Sequence, residues 1–150
     1  MSQAIAEQGL YVSMVTADFD VPLNNKNGPS SLRNIGPSLD AAEAVGRELI
    51  RVCLKSDDDL PHAREAAKQA ADRGIRLAHQ SHTTSVCETV DQILSNLETI
   101  GHPNFGLIYE PANLMLCGEN YGPATLTRLA PHIMNIYIQN HHMNVAHHYM

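Results

Sequence analysis

Four polar residues that could contact a ligand follow short apolar segments at nearly regular intervals: Lys55, Gln80, Glu110 and Gln139. They are about 25 to 30 residues apart, which is close to the length of one strand and one helix. If the apolar segments are parallel strands, these residues stand at the carboxyl ends, where α/β sheets bind their ligands. A carboxylate there can accept a proton or bind a cation, and an ammonium group can bind an anion. The spacing predicts one shared site, although strands also become polar simply because they leave the core.

The elements that must position these residues are predicted as alternating strands and helices. The predicted strands are short apolar segments, each bounded by Gly, Pro or charged residues and too short for a buried helix. They cover residues 10–15, 49–54, 75–78, 105–109 and 133–138. Strands that alternate with helices indicate right-handed βαβ units and a parallel sheet, and therefore the α/β class.

The helices are predicted from their start and stop signals. Ser85 and Glu88 have the spacing of a capping box, and apolar residues then recur at helical intervals until Gly101. A second helix is predicted to begin at Asp59 as its N-cap and to end at Gly74. Shorter helices are predicted over residues 38–45 and 124–129.

Composition limits the possible partners and location. The chain has 150 residues, 43% of them hydrophobic, which is enough for one domain with a core. A net charge of −6 predicts no nucleic-acid partner. No stretch approaches the roughly 18 apolar residues that a membrane-spanning helix needs, so no membrane contact is predicted. The three cysteines form no CxxC pair and predict reduced thiols, and therefore a cytoplasmic location.

Three segments carry a family resemblance: 74–82 (GIRLAHQSH), 102–113 (HPNFGLIYEPAN) and 130–140 (APHIMNIYIQN). In this order they resemble three strands of the xylose isomerase-like TIM-barrel family of sugar-phosphate isomerases and epimerases, which is related to endonuclease IV. The resemblance covers residues 9–141, nearly the whole chain, and implies a (β/α) barrel. Because a complete barrel needs at least about 200 residues, we expect a partial one.

The expected partial barrel has about five parallel strands with helices outside, and lacks the first strand and the last two. Residues 1–150 are expected to form this single incomplete domain, with a disordered tail at 142–150. Two strand edges would then be open, which predicts association into a homo-oligomer through these edges.

The resemblance also implies a chemistry and a set of residues. Members of the family act on a small sugar or sugar phosphate: a divalent metal ion (Mn, Mg, Co or Zn) polarises the carbonyl while carboxylates move a proton on the adjacent carbon. Glu110 and Gln80 are the implied catalytic residues. The expected substrate-binding residues are Lys55, His82, Asn113 and Gln139. The metal would be held by Glu110, His82 and His141.

Two departures from the family pattern leave two functions open. Gln80 stands where the family has Glu, and Tyr137 stands where it has His. Glutamine cannot act as a base, and it brings no charge to a cation. The chain is therefore expected to be either a metal-assisted isomerase or epimerase, or a non-catalytic barrel fragment or carbohydrate-binding half-barrel. Phosphodiester hydrolysis is disfavoured by the net charge. His79 points away from Gln80 along the strand and is predicted to be structural.

Overall fold

The computed structural model describes residues 2–18 and 29–139. Its strands are β1 (Val15–Thr16), β2 (Leu49–Val52), β3 (Arg76–Gln80), β4 (Phe105–Tyr109) and β5 (Ile133–Ile136). Its α-helices are α1 (Ser2–Glu7), α2 (Gly36–Ala44), α3 (Asp59–Asp72), α4 (Val90–Ile100), α5 (Pro111–Leu116) and α6 (Pro123–Leu129). A 3-10 turn, Ala130–His132, follows α6.

The five strands form one sheet in which each strand pairs with the next along the chain, in the order β1-β2-β3-β4-β5. Every pairing is parallel. All carboxyl ends therefore lie at one edge of the sheet. The prediction of an α/β protein with five parallel strands is confirmed.

The two faces of the sheet differ in what covers them. Ile50, Leu77 and Leu107 belong to a large apolar cluster that includes buried residues of the helices. On the other face, Ala78 and Ile108 belong to a small cluster with no helical residue. Because alternate residues of a strand point to the same face, Gln80 shares the face of Ala78, and the chain at Glu110 continues that of Ile108.

An alanine-rich surface lets α3 lie close to the sheet. Its buried residues include Ala63, Ala66, Ala67 and Ala70. The N-cap of α3 is Asp58, one residue before the predicted Asp59, which is the first helical residue. The Asp59 carboxylate nevertheless binds backbone amides, those of Lys55 at 2.8 Å and Ser56 at 3.1 Å. It thereby fixes the β2–α3 loop.

The start of α4 differs from the prediction. The capping box consists of Thr89 and Gln92, and the Ser85–Glu88 pair does not form one. The side chains of Ser85 and Glu88 instead bind backbone groups of the preceding turn. The predicted end is correct, since Gly101 adopts the left-handed conformation with φ of 56°.

The predicted first strand was wrong over residues 10–14, because only Val15 and Thr16 pair with β2. Leu10 and Tyr11 are apolar but exposed, so the apolar character of this segment does not come from burial in a sheet. The short helices α1 and α5 were not predicted. Within the described ranges, no helix has the length and apolar character needed to cross a membrane.

Candidate functional site

The Glu110 carboxylate lies at the carboxyl edge of the sheet and is fully buried. Its Oε2 accepts hydrogen bonds from the amide groups of Gln80 and of Asn113, the latter at 2.6 Å. Its Oε1 accepts one from the Gln139 amide. Three predicted site residues therefore converge on one carboxylate, and we call this group the Glu110 cluster.

Each member of the cluster is placed by a different element. Gln80 is the last residue of β3, and Gln139 lies three residues beyond β5. Glu110 occupies the N-cap position of α5, whose first turn brings Asn113 back to the carboxylate. Because Pro111 has no amide hydrogen, it suits the start of this helix. The short helix α5 therefore makes the Glu110–Asn113 contact possible.

Sequence reasoning missed Ser81, which ties β3 to the cluster. Its hydroxyl accepts a hydrogen bond from the Glu110 backbone N–H at 2.9 Å. Its carbonyl oxygen accepts one from the Asn113 side chain at 3.0 Å. Ser81 is fully buried, but no spacing pattern in the sequence singled it out.

Lys55 and His82 lie beside the cluster and not in it. Lys55 Nζ donates to the carbonyl oxygen of Thr84 at 3.1 Å, and His82 Nδ1 lies 2.9 Å from the carbonyl oxygen of Thr83. Lys55, Gln80 and His82 all line a pocket of about 40 Å3 at the ends of β2 and β3. We call it the β2–β3 pocket. Gln80 is thus common to the Glu110 cluster and the β2–β3 pocket.

His79 is buried on the opposite side of β3 from Gln80. Its Nδ1 lies 3.2 Å from the Leu54 backbone nitrogen and 3.3 Å from the Val52 carbonyl oxygen. Burial is the main cause that lowers the pKa of His79 to about 3. The ring is therefore neutral at physiological pH and holds the end of β2 against β3.

Tyr137 stands at the position where the family has a His. Its backbone N–H donates to the carbonyl oxygen of Tyr109 at 2.9 Å, which continues the pairing of the chain after β5 with β4. Its side chain is exposed. Tyr137 therefore supports the sheet through its backbone.

The described residues do not fit a divalent metal ion. No three His, Cys, Asp or Glu side chains among residues 2–18 and 29–139 are grouped as metal ligands would be. The oxygens of Glu110 receive amide hydrogens, which present positive charge where a cation would have to bind. Mg2+ and similar ions require several anionic or carbonyl oxygens. The third predicted ligand, His141, lies outside the described residues, as does the predicted tail at 142–150.

Several proteins of known structure share this fold. A xylose isomerase domain protein from Planctomyces limnophilus matches with a TM-score of 0.72 and 19% identity, over 90% of this chain and 56% of that one. A xylose isomerase-like TIM barrel protein from Mycobacterium smegmatis, in complex with magnesium, has a TM-score of 0.72 and 16% identity, over 92% and 54%. The 3-keto-D-glucoside 4-epimerase YcjR from E. coli has a TM-score of 0.66 and 16% identity, over 93% and 62%.

The chain spans less than two thirds of the length of these three proteins, and its five strands correspond to part of their barrels. The prediction of a partial TIM barrel is thereby confirmed. No curated protein matches the chain by sequence. The sequence profile of the xylose isomerase-like TIM barrel family matches residues 1–149. The chain therefore belongs to the xylose isomerase-like TIM barrel family.

Proposed function

We propose that the chain is the sugar-binding part of a sugar or sugar-phosphate isomerase or epimerase, and that Glu110 moves a proton next to the sugar carbonyl. The main observation in support of this proposal is the buried Glu110 carboxylate, which accepts hydrogen bonds from three side-chain amides at the carboxyl edge of the sheet. Barrel enzymes bind and convert their substrates at this edge. The fold shared with a 3-keto-D-glucoside 4-epimerase supports the same reaction class.

The hydrogen bonds of the cluster leave room for a substrate. A carboxylate has about four acceptor positions, and the three amides of Gln80, Asn113 and Gln139 fill three of them. The remaining position, on Oε1, can accept a hydroxyl hydrogen or a proton. The buried Oε1 of Gln80 has no partner and can accept a hydrogen bond from a sugar hydroxyl. The site therefore offers both acceptors and fixed amides to a polyhydroxylated ligand.

The reaction that suits one carboxylate is aldose–ketose isomerisation. Glu110 takes the proton from the hydroxyl-bearing carbon beside the carbonyl; the electron pair of that C–H bond forms a carbon–carbon double bond, and the π pair of the carbonyl moves to its oxygen as an enediolate forms. The same proton then returns to the neighbouring carbon, so that one base completes the reaction. Epimerisation needs a second proton donor on the opposite face of the carbon. Lys55 or His82, which border the site, would protonate the former carbonyl oxygen in the isomerisation, and the hydroxyl proton released from the oxygen of the adjacent carbon would restore that donor.

The experiment compares aldose–ketose exchange by the wild-type chain and by Glu110→Ala. Sugars and sugar phosphates are offered with Mg2+, Mn2+ or Co2+ and with a chelator. We expect turnover that Glu110→Ala abolishes and that Glu98→Gln, an exposed substitution on α4, leaves unchanged. A folded wild-type chain without turnover under every condition would reject the proposal.

A specific observation favours sugar binding without turnover as the second candidate. Gln80 and Tyr137 replace an acid and an imidazole of the family, and three amides already engage the one carboxylate of the cluster. Calorimetry with the same sugars separates the candidates. Binding without exchange supports the carbohydrate-binding half-barrel, and exchange supports the enzyme.

Association through the sheet edges is also part of the proposal. Among the described strands, β1 pairs only with β2, and β5 pairs only with β4. Ile136 and Ile138, at and beyond the end of β5, are exposed. Light scattering over a concentration series tests whether copies of the chain associate.

The cytoplasmic location and the lack of a nucleic-acid partner stay predictions from the sequence.

A further inference from the structure

A cavity of about 400 Å3 opens at the amino edge of the sheet, at the opposite end of the strands from the Glu110 cluster. It lies against Leu49 and Arg76, the first residues of β2 and β3, and it is also bordered by β5 and by residues 11–13. We call it the amino-edge cavity. Its volume falls within the range of about 300–1,000 Å3 that small-molecule sites occupy. The cavity can therefore hold a ligand, and the proposed function does not use it.

Two arginines line the amino-edge cavity, and in the described part of the chain neither has an ion-pair partner. Four other arginines donate to a carboxylate or to backbone carbonyl groups: Arg33, Arg64, Arg73 and Arg128. The two in the cavity are Arg47 and Arg76, and the Nε atom of Arg47 is buried without a hydrogen-bond partner. Because buried polar atoms are nearly always paired in proteins, this atom requires an explanation. An oxygen atom of a ligand would supply the acceptor.

Arg47 is held in place by its backbone and by the Tyr11 ring. Gly46, just after α2, has φ of 67°, and the Arg47 backbone N–H donates to the carbonyl oxygen of Ala42 at 2.8 Å. The guanidinium carbon of Arg47 lies 5.7 Å from the centre of the Tyr11 ring, which is within the range of a cation–π contact. A contact with the face of a ring does not require the N–H groups of the guanidinium as hydrogen-bond donors. Arg47 is therefore positioned while its donors stay available.

Arg76 is placed beside this group by the pairing of β2 with β3. Its backbone N–H donates to the carbonyl oxygen of Glu48 at 2.8 Å, and Arg76 is the register partner of Leu49. Arg76 precedes Ala78 by two residues, so its side chain shares the face of the sheet that carries the small apolar cluster. The two arginines therefore border one cavity, one from the loop before β2 and the other from the start of β3.

The charges around the cavity favour an anion. Glu48 is the one acid among the lining residues, and its exposed side chain forms an ion pair with neither arginine. Asp40 and Glu43, on the preceding helix α2, both pair with Arg73. Two guanidinium groups against one carboxylate leave a net positive charge at the cavity, although the chain as a whole carries −6.

We propose that the amino-edge cavity binds a small dianion, with the guanidinium groups of Arg47 and Arg76 as its two cationic partners. Each group presents paired N–H donors that match the oxygens of a carboxylate or a phosphate. A dicarboxylate can contact the two arginines with its two ends, and a phosphate can do so with different oxygens. Tyr11 is a positioning residue, since it contacts Arg47. Because the cavity and the Glu110 cluster lie at opposite edges of the sheet, this binding does not depend on the proposed sugar chemistry.

The test is calorimetric titration with succinate, inorganic phosphate and acetate at low ionic strength and pH 8, where phosphate is a dianion. We expect succinate or phosphate to bind at least tenfold more tightly than acetate, whose single charge engages one arginine. Arg47→Gln and Arg76→Gln should each weaken dianion binding by about tenfold or more. Arg128→Gln is the matched control, because it removes the same charge from an exposed position on α6 outside the cavity. Binding of succinate alone would identify a dicarboxylate site, and binding of phosphate alone a phosphate site.

Variants of Tyr11 distinguish a built site from two arginines that merely carry charge. Tyr11→Leu should weaken dianion binding by about threefold or more, whereas Tyr11→Phe keeps the ring and should bind like the wild-type chain. Unchanged affinity in Tyr11→Leu would overturn the positioning role of the ring.

No binding of either dianion, equal affinities for acetate and the dianions, or unchanged dianion affinity in either arginine variant would overturn the inference. Thermal unfolding shows whether each variant folds. If Arg47→Gln does not fold, the exposed substitution Arg76→Gln decides the matter. Dianion binding by a chain without isomerase activity contradicts only the proposed function, and isomerase activity without dianion binding contradicts only the assignment of this cavity.

Discussion

Gln80, at the end of β3, donates an amide hydrogen to the carboxylate of Glu110, which directly follows the neighbouring strand β4. One negative charge is thus held by neutral donors instead of being paired with another charge. This arrangement satisfies a buried carboxylate without a cation. Substitution of Gln80 therefore tests which ligands the site can bind.

Gln80→Glu should convert the cluster into a cation-dependent one. Two buried carboxylates would repel each other, so we expect the free energy of unfolding to decrease by about 1–3 kcal/mol at pH 7. Mn2+ should restore stability in this variant and have little effect on the wild-type chain. Urea unfolding with and without Mn2+ measures both effects. Gln69→Glu, on the exposed side of α3, is the control. Equal stabilisation of both proteins by Mn2+ would show that the wild-type cluster already binds the ion.

His79 should make stability depend on pH. Its pKa is about 3 in the folded chain and about 6.5 in an unfolded one. Between these values the unfolded chain binds a proton that the folded chain does not, so stability decreases as pH falls from 6.5 towards 3. At pH 4.5 this contribution amounts to about 2–3 kcal/mol relative to pH 7.

His79→Asn should remove that contribution, because Asn keeps an acceptor for the Leu54 N–H and does not titrate. Urea unfolding at pH 7 and pH 4.5 gives the loss of stability for each protein. His62→Asn, an exposed position on α3, should behave like the wild-type chain. The same loss in His79→Asn and the wild-type chain would contradict a buried neutral ring.

Asp59→Asn should destabilise the fold. Its carboxylate accepts the amides of Lys55 and Ser56 and an Arg33 N–H. An amide at this buried position turns one acceptor oxygen into a donor that faces another donor, at an expected cost of about 2 kcal/mol or more. Thermal and urea unfolding measure the change. The neighbouring Asp58 is exposed, so Asp58→Asn should alter the free energy of unfolding by less than about 0.5 kcal/mol. Similar losses of stability in the two variants would refute the structural role of Asp59.

Gly106→Ala should disturb the contact between β4 and β5. A Cβ at Gly106 would lie 2.6 Å from the carbonyl oxygen of His132 and 2.9 Å from the Met134 side chain. We expect a loss of about 1–3 kcal/mol in urea unfolding, because the backbone of β5 must move. Gly36→Ala has space around its Cβ, whose nearest atom is 3.7 Å away, and should not destabilise the chain. An unchanged midpoint in Gly106→Ala would contradict the close approach.

The convergence of Gln80, Glu110 and Gln139 was predictable because it depends on strand order alone. Successive parallel strands bring their carboxyl ends together whatever the details of packing. Lys55 was placed in the same group, but its ammonium binds Thr84 in the loop after β3, whose path no spacing revealed. Asn113 was expected from the family resemblance, and the helix that positions it is too short to produce a periodic pattern.

Residues inside strands were harder to interpret than those at strand ends. Arg51 lies in an apolar segment, and its contribution to the β2–β3 pocket depends on the pairing of β2 with β3. Ser81 was inconspicuous because a single serine carries no periodic signal. The capping box of α4 was misplaced because two adjacent sequences, 85–88 and 89–92, satisfy the same pattern, and the side chains of Ser85 and Glu88 bind the backbone of the preceding turn instead.

The sequential order of the strands has a consequence for how the chain acquires its structure. Each strand needs only its immediate predecessor as a pairing surface, so no strand must wait for a distant part of the chain. Each pairing closes a loop of one strand–helix unit, so no single pairing carries an exceptional loop-closure cost. We therefore expect the strands to add to the sheet in chain order, with Glu110 becoming enclosed only when the segment bearing Gln139 has joined.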